Sequence, residues 1–267
     1  MVQRRNVYVF ANQKGGVTKS TSSANLAAAL SRKGKRVLFI DTDPQGNGSS
    51  ILGFQPYEND NFLSTYDLIT NNASIRSEKD FIIESPFSHL FLIPSSPDLY
   101  NADAELAGKY TAVYSIKKTI NFYDLKKKFD FIIFDTPPNL GIMTYSALTA
   151  SDKIIIPIVP DKYAIEGMTQ LQKAIVDVKE NLNPDLELFG VLLARISKNE
   201  NMSKRIIKKT KEYFGPKMVF ETYIRKNVTA EEANAVNRPV VFYDERSSAA
   251  KDYIKLADEV LRREEKR

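Results

Sequence analysis

Residues 10–21 read F-A-N-Q-K-G-G-V-T-K-S-T, and this stretch decides the fold class of the chain. Its end resembles a phosphate-binding loop, written G-x-x-x-x-G-K-[ST], because Lys19 and Ser20 occupy the last two positions of that pattern. The residue before Lys19 is Thr18, where the pattern has glycine. The match is therefore partial, and its meaning depends on the segments on either side of it.

The flanking segments support a phosphate site. Residues 6–11, N-V-Y-V-F-A, predict a buried strand, and residues 19–34 predict a helix that ends at Gly34. A glycine-rich loop between a strand and a helix directs backbone N–H groups and the positive end of the helix toward a phosphate. Lys19 is then expected to reach the β- and γ-phosphates, and Ser20 to place its hydroxyl on Mg²⁺. An ordinary glycine-rich turn with no ligand is the less favoured alternative.

Two strand-end carboxylates add to the case for a magnesium-dependent site. Asp41 ends the run R-V-L-F-I-D, residues 36–41, and Asp135 ends F-D-F-I-I-F-D, residues 129–135. Ligands of parallel sheets bind outside the carboxyl ends of the strands, so both carboxylates are expected near the phosphates. Oxygen ligands of this kind bind Mg²⁺ directly or through water, which makes Ser20, Asp41 and Asp135 the predicted metal site. A strand-end aspartate also serves as a helix N-cap, so either residue alone is only suggestive.

The rest of the chain alternates apolar strand-like runs with helix-like segments. Continuous apolar strands indicate burial on both faces, and their alternation with helices indicates right-handed crossovers and a mostly parallel sheet. We therefore predict a doubly wound α/β fold of the P-loop NTPase class, in one domain over residues 1–267. Further strands are predicted at 91–94, 153–160, 186–194 and 218–224, helices at 64–70, 141–151, 164–180, 202–214 and 246–265, and mostly helical structure at 98–128.

The composition excludes several kinds of chemistry. The chain has 267 residues, 43% of them hydrophobic, no cysteine and one histidine, His89. The lack of cysteine excludes disulfides, thiolate catalysis and cysteine-ligated zinc or iron–sulfur clusters, and a single histidine nearly excludes a histidine-based metal site or triad. The sequence has no apolar run long enough for a signal-peptide core or a membrane span, so a cytoplasmic location is expected.

One short segment holds the basic excess of the chain. Residues 195–217 carry eight lysines and arginines against two glutamates, which gives +6 within a chain of net charge +5. Within residues 201–214, helical spacing places Lys204, Lys208 and Lys211 on one outward face. The predicted inward stripe consists of Met202, Ile206, Ile207, Tyr213 and Phe214. A solvated helix surface and a nucleic-acid-binding surface both fit this pattern.

Several blocks of the sequence together indicate a family. K-G-G-V-T-K-S-T (14–21), I-D-T-D-P-Q-G-N (40–47) and F-D-T-P-P (134–138) resemble the signature blocks of the ParA branch of the deviant Walker A ATPases. The similarity continues in the same order at 160–168, 224–244 and 248–253, and so covers nearly the full length. The first predicted strand begins near the start of the chain, so the resemblance is to the short ParA type, without an N-terminal helix-turn-helix domain.

The resemblance assigns roles that the residues alone leave open. It implies that Lys14 is the signature lysine of the family, which crosses an ATP-sandwich homodimer and contacts the nucleotide of the partner subunit. It implies that Asp43 acts on the attacking water, and that Asp41 acts on the magnesium shell or the switch between nucleotide states. By the residues alone, Lys14 could be a solvated loop lysine and Asp43 a turn-former before Pro44. The expected cofactors are ATP and Mg²⁺, the expected catalytic residues are Lys14, Lys19 and Asp43, and the expected nucleotide-binding residues are Lys14, Gly15, Gly16, Val17, Thr18, Lys19, Ser20 and Thr21.

The resemblance also implies partners. Proteins of this family bind DNA non-specifically as ATP-bound dimers, and a ParB-type centromere-binding protein stimulates hydrolysis and release. On this chain the expected DNA-binding residues are Lys204, Arg205, Lys208, Lys211, Arg225 and Lys226. Cations that face phosphates give affinity without sequence readout and with a steep salt dependence. The expected activity is a slow ATPase in plasmid or chromosome partition, located in the cytoplasm on the nucleoid, with no membrane partner.

The main departure from the family is Thr18, where glycine is usual. If this position requires a positive φ, a β-branched residue there costs on the order of 1–2 kcal/mol. We therefore expect a working site with altered ATP affinity or turnover. A nucleotide-gated DNA-binding regulator that hardly hydrolyses ATP remains an alternative for the same reason. A MinD-like membrane-cycling ATPase is disfavoured because the tail, residues 255–267, has few bulky apolar residues and four acidic ones.

Overall fold

The structure is a computed structural model, and it describes residues 5–54, 62–70, 75–109, 111–162, 164–165, 168–197 and 199–266. Within these residues one sheet contains β1 (Val7–Phe10), β2 (Val37–Asp41), β3 (Ile83–Glu84), β4 (Leu90–Ile93), β5 (Phe131–Asp135), β6 (Lys153–Ile158) and β7 (Glu187–Leu193). The strands lie in the order β3-β4-β2-β5-β1-β6-β7. Neighbouring strands pair in parallel, except that β3 and β4 are antiparallel.

Helices cover both faces of this sheet. They are α1 (Lys19–Arg32), α2 (Asn47–Ile51), α3 (Thr65–Thr70), α4 (Ala102–Glu105), α5 (Ser115–Phe122), α6 (Leu125–Lys128), α7 (Ile142–Ala150), α8 (Thr169–Asn181), α9 (Asn201–Phe214), α10 (Val228–Ala235), α11 (Val240–Tyr243) and α12 (Ser248–Glu265). Helices α3–α9 contribute to one hydrophobic cluster, and α1, α2 and α10–α12 contribute to the other. Val7 and Val9 of β1 belong to the first cluster, whereas Tyr8 and Phe10 belong to the second. Burial on both faces explains why the strands read as continuous apolar runs.

The predicted doubly wound α/β fold is confirmed. The strands expected at 6–11, 36–41, 91–94, 129–135, 153–160 and 186–194 correspond to β1, β2, β4, β5, β6 and β7. Because β2 and β5 are neighbours that pair Asp41 with Asp135 in register, the two strand-end carboxylates lie side by side. Strand β1 is the other neighbour of β5, so the loop after β1 reaches the same edge of the sheet. None of the described helices is both long enough and apolar enough to cross a membrane.

The strand predicted at residues 218–224 is wrong. This segment runs beside β7 but makes only isolated bridges within the described part of the chain. The backbone N–H groups of Glu221 and Thr222 donate to the carboxylate of Glu259 on α12, at 2.9 and 2.8 Å. Because these donors pair with a side chain, they are not available for a strand ladder.

Two predicted helical segments differ in extent. Residues 98–128 are divided among α4, α5, α6 and short 3₁₀ turns, because Gly108 and Asp124 adopt left-handed conformations with φ of 80° and 54°. The helix predicted at 164–180 begins at Thr169, as α8, and residues 166 and 167 lie outside the described residues. The structure adds β3, α2, α10 and α11, which were not predicted because each is too short to show a clear periodic pattern.

The inward face of α9 also differs from the predicted stripe. The apolar residues that do pack inward are Ile206, Ile207 and Phe214. Met202 and Tyr213 are 40% and 47% exposed, so their assignment to the inward stripe is wrong. The buried face is formed by Ser203, Ile206 and Thr210, which are three and four residues apart and therefore lie on one stripe. Small polar side chains, rather than large apolar ones, flank the central isoleucine.

Candidate nucleotide-binding site

The loop from β1 to α1 turns through two left-handed residues. Gly16 has a φ of 73°, and Thr18, the N-cap of α1, has a φ of 65° and a ψ of 28°. Glycine adopts this conformation freely, whereas a β-branched residue there is strained by on the order of 1–2 kcal/mol. The Oγ1 of Thr18 lies 3.1 Å from the Oγ of Ser22, so the hydroxyl is turned toward α1. The positive φ on which the interpretation of Thr18 depends is therefore present.

Lys19 is held inside the loop. Its side chain is buried, and its Nζ donates to the carbonyl oxygen of Lys14 at 3.3 Å. Burial lowers the pKa of the Lys19 amine, and the negative charges of Asp135 and Asp43 oppose that shift. The ammonium is thus enclosed next to two carboxylates at the start of α1, where a triphosphate would add further negative charge.

Lys14 makes an ionic contact at the carboxyl end of β6, on the same edge of the sheet. Its Nζ pairs with the carboxylate of Asp161, which follows β6, and the two side chains are 37% and 38% exposed. The backbone N–H of Lys14 donates to the Oδ1 of Asn12 at 3.0 Å, which fixes the start of the loop. The single subunit therefore holds this lysine at the surface, in contrast to the enclosed Lys19.

Asp41 and Asp43 fix the turn that connects β2 to α2. The Oδ2 of Asp41 accepts from the N–H and the hydroxyl of Ser49, both at 2.7 Å. The Oδ1 of Asp41 accepts from the N–H of Asp43 at 3.1 Å, and the Oδ1 of Asp43 accepts from the N–H of Gln45 at 3.0 Å. Burial raises the pKa of Asp41 to about 7, although its hydrogen bonds lower it. Burial also raises the pKa of Asp43, against the opposing effects of Gln45 and Lys19.

Asp135 is the least satisfied carboxylate of the site. It is fully buried, and neither of its carboxylate oxygens makes a well-formed hydrogen bond with the described residues. Burial raises its pKa well above the ordinary value, Asp41 and Asp43 raise it further, and Ser20 and Lys19 oppose the rise. A buried carboxylate in this state gains from a cation more than from any other ligand.

The residues present fit Mg²⁺. Among the described residues, no three His, Cys, Asp or Glu side chains form a metal cage of their own. Mg²⁺ does not require such a cage, because it usually binds one or two carboxylates together with phosphates and retained waters. The buried Asp135 with the nearby Ser20 hydroxyl supplies that smaller set, and Asp41 lies beside Asp135 in the sheet.

A cavity of about 360 Å³ opens in front of the loop. It is lined by Gly15, Gly16, Thr18, Lys19, Ser20, Thr21, Asp43, Gln45, Asn47, Ser50, Ile51, Pro138, Asn234 and Asn237. The two asparagines come from the end of α10 and were missed by sequence reasoning. The Nδ2 of Asn234 donates to the Oγ1 of Thr21 at 3.0 Å, and Asn237 has a φ of 53°. The turn N-R-P at 237–239, within a block of family resemblance, was the signal that could have identified them.

The predicted DNA-binding residues lie on two elements away from the cavity lining. The four on α9, all exposed, are Lys204, Arg205, Lys208 and Lys211. Arg225, by contrast, donates twice to the carboxylate of Asp252, at 2.8 and 2.7 Å, and once to the carbonyl oxygen of Ser248 at 3.1 Å. Lys226 beside it is exposed. The α9 cations therefore face solvent, whereas the guanidinium of Arg225 is already bound within the chain.

The fold and the site define a P-loop NTPase. A loop rich in N–H donors joins β1 to α1, and strand-end carboxylates of β2 and β5 lie beside it. A family model described as "AAA domain" matches residues 5–188. Among solved structures, cobyrinic acid a,c-diamide synthase from Mycobacterium smegmatis with bound ADP and magnesium is similar, with a TM-score of 0.81 and 28% identity over 97% of this chain and 95% of that chain.

Two curated relatives place the chain more narrowly. It is 38% identical over 254 residues to the sporulation initiation inhibitor protein Soj of Bacillus subtilis (strain 168), covering 95% of this chain and 97% of that protein. It is also 38% identical over 259 residues to the chromosome-partitioning ATPase Soj of Treponema pallidum (strain Nichols), covering 97% of this chain and 98% of that protein. The chain belongs to the ParA family of partition ATPases.

Proposed function

We propose that this protein is a single-domain DNA-partition ATPase. It binds ATP with Mg²⁺, dimerises around the nucleotide, holds nucleoid DNA without sequence preference, and hydrolyses ATP slowly until a ParB-type partner stimulates it. The observation that carries the proposal is the meeting of Lys19 and Asp43 at one cavity, with the buried carboxylate of Asp135 beside them.

The phosphates of ATP fit the loop end of the cavity. Backbone N–H groups of residues 15–21 face this space from the start of α1, and Lys19 adds a positive charge. A triphosphate favours the charged form of the Lys19 amine, because it offsets the effect of burial. Ser20 and Asp135 would hold Mg²⁺, with Asp41 beside Asp135 in the sheet. The metal, when bound, neutralises charge on the β- and γ-phosphate oxygens.

Asp43 orients the attacking water. Its carboxylate lies at the cavity wall and is fixed by the N–H of Gln45. A carboxylate held in this way can direct a water at the γ-phosphate and accept its proton. Its raised pKa, which results from burial, brings the group closer to the pH at which a general base works.

The base of the nucleotide is assigned to the end of α10. Asn234 and Asn237 line the same cavity as the loop, and the buried Oδ1 of Asn234 has no hydrogen-bond partner among the described residues. An amide offers both a donor and an acceptor, which matches the edge of an adenine.

Lys14 couples dimerisation to turnover. In one subunit it is paired with Asp161 at the surface, and in the dimer it leaves that partner for the triphosphate bound to the other subunit. Delivered in trans, the ammonium stabilises charge on the transferring phosphoryl group. DNA then binds to the exposed cations of α9, whose number doubles in a dimer.

The test measures DNA binding in ATP and in ADP, together with ATP turnover, for the parent, Lys14→Ala and Asp43→Ala. We expect Lys14→Ala to lose ATP-dependent DNA binding, and Asp43→Ala to keep it while losing turnover. Lys127→Ala is the control for Lys14→Ala, because Lys127 is also an exposed lysine paired with an aspartate, on the distant α6. Equal DNA affinity in ATP and ADP for the parent would contradict the proposed switch.

A second candidate is a nucleotide-gated DNA-binding regulator with little hydrolysis. The left-handed Thr18 favours it, because strain in the phosphate loop can reduce turnover without abolishing binding. ATP-dependent DNA binding with no turnover, even with a ParB-type partner, would support this candidate. Pelleting with liposomes in the presence of ATP distinguishes these two candidates from a membrane-cycling ATPase. Of the three, only the membrane-cycling ATPase is expected to bind the vesicles.

A further inference from the structure

The turn that carries Asp43 follows β2, and it is held both by residues of that turn and by a residue that follows β4. Two residues after β4, Ser95 donates its hydroxyl to the backbone carbonyl oxygen of Asp43. The N–H of Gly46 donates to the same carbonyl oxygen at 2.9 Å. Ser95 is 3% exposed, so this bond is shielded from water. The backbone of Asp43 is therefore fixed by a side chain more than fifty residues away in sequence.

Ser95 is in turn tied to the buried end of β2. Its backbone N–H donates to the Oγ of Ser49 at 3.2 Å, and the Oγ of Ser49 donates to the Oδ2 of Asp41 at 2.7 Å. Asp41 also accepts from the N–H of Asp43 at 3.1 Å. These bonds close a ring through Asp41, Ser49, Ser95 and Asp43, all of which are buried. A closed ring of buried hydrogen bonds restricts the turn more than any one bond alone.

The sheet explains why Ser95 can reach this turn. Strand β4 is the neighbour of β2, and Ile93 pairs with Ile40 in register. The chain that leaves β4 therefore runs beside the chain that leaves β2. Thr65 supports the same junction, because its hydroxyl donates to the carbonyl oxygens of Asp41 and Pro94, at 2.7 and 3.2 Å.

We propose that Ser95 is a positioning residue for hydrolysis, whose hydroxyl fixes the backbone of Asp43 so that the carboxylate is aimed at the attacking water. The inference rests on the proposed role of Asp43. Ser95 itself does not line the cavity as described, whereas Asp43 does. Loss of the Ser95 hydroxyl therefore removes the bond that ends on Asp43, and it leaves the phosphate loop, Ser20 and Asp135, which are not part of the ring, in place.

The test is steady-state ATP hydrolysis with Ser95→Ala, Ser95→Thr and the control Ser151→Ala. We expect Ser95→Ala to lower kcat about tenfold or more, since a misplacement of about 1 Å can cost about a hundredfold. The KM for ATP and ATP-dependent DNA binding stay unchanged, and Ser95→Thr, which keeps the hydroxyl, restores turnover. Ser151 is equally buried and donates its hydroxyl to the carbonyl oxygen of Ala147 at 2.6 Å, at the end of α7, so it matches the loss of one buried bond.

Two results would overturn this proposal alone. One is a Ser95→Ala variant with the kcat of the parent while Asp43→Ala is inactive, which leaves the role of Asp43 standing and removes that of Ser95. The other is an equal fall in kcat for Ser95→Ala and Ser151→Ala with equal thermal midpoints, which indicates a general structural effect. If Asp43→Ala itself turns over at the parent rate, the proposed function and this inference both fail. Should Ser95→Ala not fold, Ser95→Cys replaces it, because a thiol of similar size is only a weak donor.

Discussion

Thr18 is the residue of the phosphate loop at which this chain departs from the family pattern. It adopts a φ of 65° at the N-cap of α1, where the family usually has glycine, and its hydroxyl lies against Ser22. The strain is local, because Gly16 supplies the other left-handed turn without penalty. The loop therefore has a left-handed backbone conformation at a β-branched residue, for which positive φ is unfavourable.

Thr18→Gly is predicted to raise the ATPase rate or to tighten ATP binding. Glycine removes strain of about 1–2 kcal/mol from the loop, so the conformation that binds phosphate becomes easier to reach. The measurements are steady-state turnover and nucleotide titration. Thr18→Ala is the control, because it removes the hydroxyl but keeps the Cβ and should show no gain. Parent values for both rate and affinity in Thr18→Gly would remove the idea.

The buried carboxylates predict a pH effect on the nucleotide-free protein. Burial raises the pKa of Asp41 to about 7 and that of Asp135 well above its ordinary value. Between pH about 4 and 7 the folded chain then keeps a proton on Asp41 that the unfolded chain has lost, and the pKa of Asp135 is shifted in the same direction. The contribution of both groups to stability therefore falls as pH rises. Asp135→Asn removes one of these groups, and it should raise the thermal midpoint at pH 7.5 more than at pH 5.5.

The melting experiment omits nucleotide and magnesium, and its control is Asp185→Asn, an exposed aspartate remote from the site. The control should change neither midpoint. A pH dependence in Asp135→Asn equal to that of the parent contradicts the assignment of the effect to this carboxylate.

The sequence was sufficient to place those site residues that lie at the ends of parallel strands. Asp41 and Asp135 could be placed together because parallel strands end at one edge of a sheet. Ser95, Asn234 and Asn237 could not be placed, because their roles depend on which distant segments lie beside the turn after β2 and the loop after β1. The block of family resemblance around 237–239 marks the two asparagines as candidates, but no local pattern gives their position in the fold, and none marks Ser95.

Helix α9 shows what helical spacing can and cannot predict. The outward face was correct, since Lys204, Lys208 and Lys211 are all exposed. The inward face was only partly correct, because periodicity selects a stripe from apolar residues and here the buried stripe includes Ser203 and Thr210. The failed strand at 218–224 has a similar cause, since its backbone donors are taken by Glu259 on α12.

Lys204→Ala on α9 is predicted to weaken DNA binding in ATP about equally for unrelated sequences. One lost phosphate contact should also reduce the slope of log affinity against log salt by about 1. Fluorescence anisotropy over a salt series measures both quantities. Lys118→Ala, an exposed lysine on α5, is the matched control and should leave the slope unchanged. An unchanged slope in Lys204→Ala would exclude that contact.

Across the whole molecule, the last helix fastens the sheet at the end opposite the nucleotide site. Lys153 of β6 is almost fully buried and donates to Glu264 of α12 at 2.5 Å and to the carbonyl oxygen of Arg5 at 2.7 Å. The hydroxyl of Tyr8 on β1 donates to the other oxygen of Glu264, also at 2.5 Å. One carboxylate thus joins α12 to two strands of the sheet.

Glu264→Ala is predicted to destabilise the protein by about 2 kcal/mol, because Lys153 would remain buried with one partner fewer. The value is below that for a fully buried pair, since Glu264 is 27% exposed. Thermal unfolding measures the effect, and the fall in midpoint should be about 4–8 °C. Glu265→Ala, at the exposed neighbouring position, should leave the midpoint unchanged. ATP turnover at low temperature should match that of the parent in both variants.

The ion pair of Lys14 and Asp161 affects the free energy of the proposed dimerisation. If Lys14 contacts the nucleotide of the other subunit, as proposed, it must first leave Asp161, so association replaces one ionic contact with another. An exposed pair of this kind contributes about 1 kcal/mol or less, so a triphosphate with several negative charges can attract Lys14 more strongly than Asp161 does. A diphosphate carries less negative charge and therefore attracts Lys14 less strongly. In the proposed dimer, Lys14 would make association depend on the number of phosphates, and the dimer would dissociate after the γ-phosphate has left.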